Sequence, residues 1–451
     1  MTPTRIFRGT SEVRKSLLRR RPLGSPSLGM ETQALLRRAY DAELSPEQFV
    51  ETVFREVAAN GDRELHRLSG ILDGTPAVEL EVSSDLISSA LDGISRELRN
   101  DLETAAGRIR SFHERTIPES WFDEQTGLGQ RINPISKVGI YAPGGRASYP
   151  SSILMSAIPA AVAGVSEIVM CVPPGDDGRP SRVSLAAAAV AGMDRVFCSG
   201  GAQAIAAMAL GTETIPKVDK IAGPGNLFVV LALRRAFGMV GVSLLPGPTE
   251  TLIIADKHAG AEHVAADLLA QAEHDELASP LLLTDSYELA EEVQSRLVDD
   301  LADLPLRAIA AESLRTLGGI GVVDTLDEAV ELANEYAPEH LCLLVEEPRS
   351  LARKVRNAGG VFLGRSSPEV VGDYAAGPSH VMPVGGTAAF ASPLNVGDFV
   401  KITSVFDIPD RDSKHLAEVS ARLARVEGLE GHARAADLRA GVAAQPALDG
   451  A

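Results

Sequence analysis

The sequence predicts an α/β protein with two sequential α/β blocks, a mostly helical region before them and a tail after them. Three features of the 451 residues lead to this prediction. Apolar side chains recur at helical spacing from about Met30 to Arg115. After Lys137, short aliphatic runs that end in Gly or Pro alternate with Ala-rich helical stretches, and a second series of such runs follows Pro248. Strands that alternate with helices are typical of parallel sheets.

One helix of the first region is well marked. In the segment SPEQFVETVFREVAANGD, the apolar residues at positions 49, 50, 53, 54 and 57 fall on one helix face. Ser45 and Gln48 have the spacing of a capping box, and Gly61 is suited to end the helix. We therefore expect a helix that begins after Ser45 and ends at Gly61.

Five apolar runs define each α/β block, and we expect each run to be a strand of a parallel sheet. The first block contains KVGIYAP, EIVMCVPP, RVFCSG, KIAGPG and LLPGP. The second contains TLIIAD, SPLLLTD, GGIGVVD, HLCLLVE and GGVFLG. After about Ala391 the pattern loosens into a run FVKITSVFDIPD and one amphipathic helix. That helix cannot bury its apolar face alone, so the tail must pack on the body or on a second subunit.

The charge balance argues against a nucleic-acid partner. The chain carries 43 Lys and Arg against 61 Asp and Glu, a formal net charge of −18, and its isoelectric point is near 5.0. Binding to DNA or RNA depends on cationic side chains that displace phosphate counterions. The basic run from Lys15 to Arg21 is better interpreted as a solvated helix face.

Cysteine content and hydrophobicity predict a soluble cytoplasmic protein. Cys171, Cys198 and Cys342 lie far apart without a CxxC pair, which favours a reducing compartment. The first 21 residues lack the apolar core of a secretory signal, and no run of about 18 apolar residues could span a membrane.

Four of the nine histidines lie beside other potential ligands or proton carriers. Gln271 and His274 are one helical turn apart and could converge on one ion, although an isolated pair of this kind is more often two exposed helix residues. Glu339 and His340 follow Pro338 and precede a strand, so they offer two proton carriers of different reference pKa, or simply form a surface turn. The other histidines (His66, His113, His258, His263 and His415) are interpreted as structural or surface residues.

The two remaining contexts lie nearer the C-terminus. Asp373 and His380 lie in a loop rich in Gly, Ala and Pro, where a turn-forming Asp and a loop His are the simpler interpretation. Glu427 and His432 flank the end of the tail helix, where an exposed helix terminus is the simpler one. Amide, imidazole and carboxylate donors fit a borderline ion such as Zn²⁺. Spacing alone does not prove that they meet.

Glycine-rich segments suggest a nucleotide site in the first α/β block. Four such segments follow or end strand-like runs, as phosphate-binding turns do. None matches GxGxxG, so a standard dinucleotide fingerprint is absent, and plain tight turns are the alternative. The segments are residues 142–152, 199–211, 222–226 and 246–250.

These segments together make the chain resemble the histidinol dehydrogenase family. The resemblance covers roughly Pro46 to Arg439 and keeps the family's order. It is carried by YAPGGRASYPSSILM, GGAQAIAAMALGTETIPKVDKIAGPGN, PGPTETLIIAD, DLLAQAEH, YAPEHL, GDYAAGPSHVMP, SPLNVGDFVK and EGLEGH. It implies a dehydrogenase that oxidises L-histidinol to L-histidine through an enzyme-bound aldehyde, with two molecules of NAD⁺ reduced, in the last steps of histidine biosynthesis.

The resemblance also implies an architecture. The expected fold is two Rossmann-like α/β domains, an N-terminal helical region and a C-terminal tail that swaps across a homodimer. The expected boundaries are 1–26 for an N-terminal arm, 27–138 with 248–392 for a main α/β domain, 139–247 for a second α/β domain associated with NAD, and 393–451 for the swapped tail. The main domain would carry Gln271, His274, Glu339, His340 and Asp373.

Residue roles follow from the matched positions. The resemblance implies one Zn²⁺ per subunit held by Gln271, His274, Asp373 and His432, and an acid/base pair made of Glu339 and His340. It implies substrate contacts from Thr249, His380 and Glu427, and contacts to NAD from Tyr141, Gln203 and Asn226.

Two departures from the family pattern concern the substrate. Thr249 stands where the family usually has Ser, and the loop reads GPSH where GPNH or GTNH is more usual. Relatives oxidise other small alcohols with the same apparatus, so a dehydrogenase for another small amino or sulfonated alcohol is the alternative. A zinc-binding module without catalysis is disfavoured because Glu339 and His340 are both present.

Overall fold

The structure is a computed structural model that describes residues 4–20, 30–144, 148–193 and 195–441. Part of the first glycine-rich segment, residues 145–147, and the end of the expected tail, residues 442–451, lie outside the described residues, as do 1–3 and 21–29 of the expected arm. No helix in the described ranges is both long and apolar enough to cross a membrane.

Fifteen strands are present in the described ranges. They are β1 (Ile6–Arg8), β2 (Glu81–Val82), β3 (Trp121–Asp123), β4 (Leu128–Pro134), β5 (Lys137–Tyr141), β6 (Glu167–Val172), β7 (Arg195–Cys198), β8 (Lys220–Ala222), β9 (Gly241–Val242), β10 (Glu250–Ala255), β11 (Ser279–Thr284), β12 (Gly319–Val322), β13 (His340–Leu344), β14 (Gly360–Leu363) and β15 (Val400–Phe406).

Eighteen α-helices accompany them in the same ranges. They are α1 (Thr10–Glu12), α2 (Met30–Tyr40), α3 (Pro46–Asn60), α4 (Asp62–Leu68), α5 (Ser84–Ser89), α6 (Arg96–Glu114), α7 (Pro150–Val162), α8 (Arg182–Ala191), α9 (Gly201–Leu210), α10 (Leu227–Ala236), α11 (Ala261–Ala272), α12 (Tyr287–Leu301), α13 (Arg307–Thr316), α14 (Leu326–Tyr336), α15 (Pro348–Ala352), α16 (Glu369–Tyr374), α17 (Asp410–Val426) and α18 (Glu430–Ala440).

Two six-stranded sheets confirm the predicted α/β fold. Sheet A has the strand order β1-β12-β11-β10-β13-β14 and is entirely parallel. Sheet B has the order β2-β7-β6-β5-β8-β9 and is parallel except for β2. Every residue of β10 and of β13 is buried, which is expected where helices cover both faces of a parallel sheet.

The predicted helix after Ser45 is also confirmed. The Ser45 side chain accepts a hydrogen bond from the Gln48 N–H, the Gln48 side chain accepts one from the Ser45 N–H, and α3 ends at Gly61. The five apolar residues of its predicted face are all buried. Local sequence signals were sufficient here because both ends of α3 are set by residues at the helix termini, Ser45 and Gln48 at one end and Gly61 at the other.

The described chain forms two compact units. The first comprises residues 1–117 and 135–399 and contains sheets A and B. The second comprises residues 118–134 and 400–451; in it the antiparallel sheet β15-β4-β3 is followed by α17 and α18, which pack against each other. The finer boundaries expected from the resemblance remain predictions.

Candidate functional site

The site lies where strands of sheet A begin. In the parallel pairing of β10 with β13, Thr251 lies opposite His340, and His340 lies opposite Gly360 of β14. Glu339 and Thr249 therefore meet just outside this amino edge of sheet A. The pairing of β10 with β13 places these two residues side by side, although they are 90 residues apart in the sequence.

Glu339 is held by two donors on one oxygen. The Thr249 hydroxyl donates to Oε2 at 2.7 Å, and the Glu250 backbone N–H donates to the same atom at 3.0 Å. Burial raises the pKa of Glu339 to about 7, against the opposing effects of the His340 charge and of these two hydrogen bonds. At neutral pH this carboxylate is therefore poised between its two protonation states.

His340 is surrounded by three carboxylates. Its Nδ1 lies 3.7 Å from Glu339 Oε2 and 3.6 Å from Glu369 Oε1, and its Nε2 lies 3.5 Å from Asp373 Oδ1. Burial by itself lowers the pKa of this imidazole, but the negative charges of Glu369, Glu339 and Asp373 outweigh burial and raise it to about 10. Neither ring nitrogen has a partner at hydrogen-bond distance among the described residues. The ring is therefore held mainly by charge.

Glu369, the first residue of α16, is buried behind His340. It accepts a hydrogen bond from the Thr251 hydroxyl, and the Cys342 thiol lies 3.9 Å from its Oε2. Burial raises the pKa of Glu369 to about 7. One ligand atom each of His340, Glu369 and Asp373 lies within 4.8 Å of the others, so these three side chains form a group that could hold a metal ion.

Gln271 and His274 lie at the end of α11. The Gln271 side chain is buried. With its amide nitrogen on the Glu369 side, it donates to Glu369 and Thr251, while its oxygen accepts from the Glu250 N–H and lies beside the Thr249 hydroxyl. Gln271 therefore links Glu369 to the Glu250 backbone, which donates a hydrogen bond to Glu339. His274 is exposed just beyond the helix, close enough to Asp373 to influence its charge.

Asp373 and His380 are linked through the backbone. His380 Nδ1 lies 2.6 Å from the Asp373 carbonyl oxygen and its Nε2 lies 3.1 Å from the Ser152 hydroxyl, so Nδ1 donates and Nε2 accepts. Burial raises the pKa of Asp373, but the nearby imidazole rings of His340, His380 and His274 lower it by more than burial raises it, and the net shift is downward. Burial lowers the pKa of His380. Asp373 is thus the anion of this group.

A second set of predicted residues lies where strands of sheet B end. Tyr141 ends β5, and its hydroxyl accepts the Gly201 N–H at 3.1 Å. Gln203 in α9 is buried, and neither its amide oxygen nor its nitrogen has a partner among the described residues. The Asn226 side chain caps α10 by accepting two backbone N–H bonds. Parallel α/β sheets commonly bind nucleotides at this carboxyl edge.

Glu427 and His432 belong to the second unit. Glu427 directly follows α17, His432 lies in α18, and both are exposed. The structure thus brings together Thr249, Gln271, Glu339, His340, Asp373 and His380 at the amino edge of sheet A, with His274 beside them. It gathers Tyr141, Gln203 and Asn226 at the carboxyl edge of sheet B.

Sequence reasoning missed three residues of the first site: Arg20, Glu250 and Glu369. Glu250 ends the segment PGPTE and begins β10, and Glu369 follows Pro368 and begins α16. The available signal was therefore an acidic residue at the start of a strand or a helix. Arg20, which pairs with Glu250, gave no signal because it lies in a basic run.

Comparison with known proteins agrees with the resemblance found in the sequence. Residues 36–440 match the family model described as histidinol dehydrogenase. The chain is 47% identical over 408 residues to a histidinol dehydrogenase from Deinococcus radiodurans, with 90% of this chain and 93% of that protein covered. It is 44% identical to one from Dehalococcoides mccartyi, with 96% and 98% covered.

A solved structure is similar along nearly the whole chain. The crystal structure of histidinol dehydrogenase from Elizabethkingia anophelis has a TM-score of 0.88 and 32% sequence identity, and the match covers 97% of this chain and 98% of that one.

Proposed function

The chain belongs to the histidinol dehydrogenase family, and we propose that it oxidises L-histidinol to L-histidine in two NAD-linked steps at a zinc site. The observation that carries this proposal is the buried pair Glu339 and His340 beside the anionic Asp373. Two proton carriers next to a cation-binding carboxylate suit an alcohol oxidation followed by an aldehyde hydration.

We assign the first proton transfer to His340. It takes the hydroxyl proton of the alcohol while the adjacent carbon gives up a hydride, which leaves an aldehyde. In the protein without cations, the three carboxylates keep His340 protonated. A cation bound at Asp373 would disfavour the imidazolium form of His340, because positive charge beside the ring raises the free energy of that form, and His340 would then act as the base.

We assign the second step to Glu339. Its pKa of about 7 lets it accept a proton from water that adds to the aldehyde, and the resulting hydrate gives up the second hydride to form the carboxylate. Both hydrogen bonds that Glu339 accepts from Thr249 and Glu250 fall on Oε2, so Oε1 is the proposed proton acceptor. Burial of the pair keeps bulk water from the reactive aldehyde.

For zinc we propose the ligands Gln271, His274, Asp373 and His432, one ion per subunit. The donor types fit, and the lowered pKa of Asp373 keeps one anionic ligand in place. To bind the ion, the Gln271 amide oxygen must give up a hydrogen bond that it accepts. Zinc, when bound, supplies a Lewis acid that anchors nitrogen and oxygen donors of the substrate.

For NAD we propose contacts from Tyr141, Gln203 and Asn226. The best support is Gln203, because a buried amide without partners is costly unless a ligand satisfies it. NAD, when bound, accepts the hydride in each step. The absent GxGxxG agrees with a cofactor that must leave and be replaced between the two steps.

For the substrate we propose contacts from Thr249, His380 and Glu427. Thr249 presents its hydroxyl on the Glu339 side, and His380 is oriented by Ser152 and the Asp373 carbonyl. Another small amino or sulfonated alcohol is the alternative substrate, because Thr249 carries a methyl group that the Ser usual in the family lacks.

We further propose a cytoplasmic homodimer in which the second unit of one subunit completes the site of the other with Glu427 and His432. Two helices of that unit expose large apolar side chains, Leu423, Val426 and Leu438, with Val426 87% exposed. Exposed apolar side chains on a short helical pair are typical of a surface that a partner covers.

Zinc analysis combined with NADH formation tests the proposal. The purified protein should contain about one zinc per chain and form two NADH per L-histidinol consumed, as the chemistry of two hydride transfers requires. A protein that leaves histidinol unchanged but oxidises a sulfonated diol would select the alternative substrate. A zinc-loaded protein that oxidises neither would contradict the proposed activity.

A further inference from the structure

The N-terminal segment reaches the site through one side chain. Arg20 forms a bidentate ion pair with Glu250, with Nε 2.7 Å from Oε1 and Nη2 2.7 Å from Oε2. The same Nη2 donates to the Ala337 carbonyl oxygen at 3.2 Å, and the guanidinium carbon lies 3.7 Å from the centre of the Tyr336 ring. One guanidinium group therefore holds two segments that are distant in sequence.

Both segments are connected to Glu339, one through a hydrogen bond and the other along the chain. Glu250 follows Thr249, and its N–H is one of the two donors to Glu339. Ala337 is separated from Glu339 by Pro338 alone and has a φ of +48°. A residue other than glycine keeps this left-handed conformation only where its surroundings enforce it. The hydrogen bond from Arg20 to the Ala337 carbonyl is one such contact.

Burial makes the Arg20 pairing hard to replace. The Glu250 side chain is 7% exposed and that of Arg20 is 25% exposed. Water cannot take over the role of a lost partner at such a carboxylate, so removal of the guanidinium leaves a buried charge that must move or take a proton. Movement of this carboxylate would displace the Glu250 backbone, which carries the N–H bonded to Glu339.

We propose that Arg20 is a positioning residue for Glu339. By binding Glu250 on one side and the Tyr336–Ala337 turn on the other, it keeps the Glu250 N–H and the Thr249 hydroxyl on Oε2 and leaves Oε1 directed at the attacking water. The inference deepens the proposed function, since it rests on the role of Glu339 in the aldehyde step.

The same N-terminal segment offers a matched control. Arg14 forms a bidentate pair with Glu335 of α14, at 2.7 and 2.9 Å, but both side chains are about half exposed. Glu335 is next to Tyr336, so both arginines attach one segment to one helix end. Of these two arginines, Arg20 alone contacts Glu250. Arg14→Gln therefore weakens the attachment of the N-terminal segment to α14 but leaves the Arg20–Glu250 pair, which is linked to Glu339, intact.

The experiment compares Arg20→Gln, Arg20→Lys and Arg14→Gln in the full chain with zinc bound. Arg20→Gln should lower kcat on the order of 100-fold, as expected for misplacement of a reacting group, and more with L-histidinal than with L-histidinol as the starting substrate. KM should change less than about threefold, because Arg20 does not contact the substrate. Arg20→Lys, which keeps the charge but loses the fork, should be intermediate, and Arg14→Gln should match the original chain.

A double variant separates positioning from stability. Arg20→Gln combined with Glu250→Gln removes both charges, so Tm should recover while kcat stays low. Recovery of kcat together with Tm would overturn the proposal, as would equal kcat values for Arg20→Gln and Arg14→Gln. If the original chain does not turn over histidinol, the proposed function fails instead. A crystal structure of Arg20→Gln then decides positioning: loss of the Glu250–Glu339 hydrogen bond supports it, and its retention overturns it.

Discussion

The amino edge of sheet A and the carboxyl edge of sheet B carry opposite kinds of polar residue. At the first edge, His340 lies within 3.7 Å of three carboxylates. At the second, Tyr141, Gln203 and Asn226 are all uncharged at neutral pH, and the buried Gln203 amide has no hydrogen-bond partner in the part of the chain that the structure describes. Ionisable side chains that interact with one another can transfer protons. Uncharged donors and acceptors can hold a ligand without taking up or releasing protons themselves.

Two buried histidines show the same contrast. His113, in α6 beside the helices that cover sheet B, has no hydrogen-bond partner for either ring nitrogen among the described residues, and burial lowers its pKa to about 4. The carboxylates around His340 raise the pKa of that ring to about 10. Neighbouring charge, and not burial alone, decides which histidine can take part in proton transfer.

The largest expected effect comes from removing the charged groups at the first edge. His340→Asn should slow the oxidation of histidinol by about 10²- to 10⁴-fold, the usual contribution of a general base. Glu339→Gln should mainly slow the oxidation of added histidinal. Single-turnover measurements from each starting compound separate the steps. If both variants slowed only the alcohol step, the proposed division between the two residues would be wrong.

A smaller effect is expected from His432→Asn in the second unit. Because His432 is a proposed zinc ligand, its replacement should lower zinc affinity at least about tenfold. Tenfold is the lower end of the loss seen when a group that only hydrogen-bonds a metal ligand is removed. His415→Asn on the neighbouring helix α17, also exposed, is the control. Mixing the His432→Asn and His340→Asn variants should restore part of the activity if subunits share sites. Full zinc content in His432→Asn would argue against a shared site.

At the edge of sheet B, Gln203→Leu should separate binding from stability. Because the Gln203 amide has no hydrogen-bond partner in the described ranges, its replacement should not lower Tm. The KM for NAD should rise about tenfold, the equivalent of one lost hydrogen bond of about 1.4 kcal/mol. The KM for histidinol serves as the internal control. A lower Tm with an unchanged KM for NAD would mean that Gln203 has a packing role only.

The smallest effect concerns His113 and appears only in stability. Its folded pKa of about 4 lies below the unfolded value near 6.5, so the folded state loses stability as pH falls from 6.5 toward 4, by up to about 3 kcal/mol. His113→Leu should flatten this decline in urea unfolding measured at pH 7, 5.5 and 4.5. A decline as steep as in the original chain would show that other groups cause it.

Much of the fold was predictable because its signals are local. The capping box of α3 and the run HLCLLV, which became β13, depend on neighbours within a few residues. Glu339 and His340 are consecutive residues, so their proximity was likewise evident from the sequence. By contrast, Glu369 lies 29 residues from His340, and Arg20 lies 230 residues from Glu250. Such contacts depend on strand order, which periodicity does not reveal.

The place of β1 in sheet A has a consequence for how the chain is made. β1 pairs with β12, Ile6 opposite Ile320, so the earliest strand has no partner until the ribosome has added roughly 300 further residues. At about 5 to 20 residues per second, that wait lasts roughly 15 to 60 s. During synthesis β1 therefore stays unpaired and accessible to chaperones until β12 has been made, and Arg20 cannot bind Glu250 and Ala337 before both of those residues have been added.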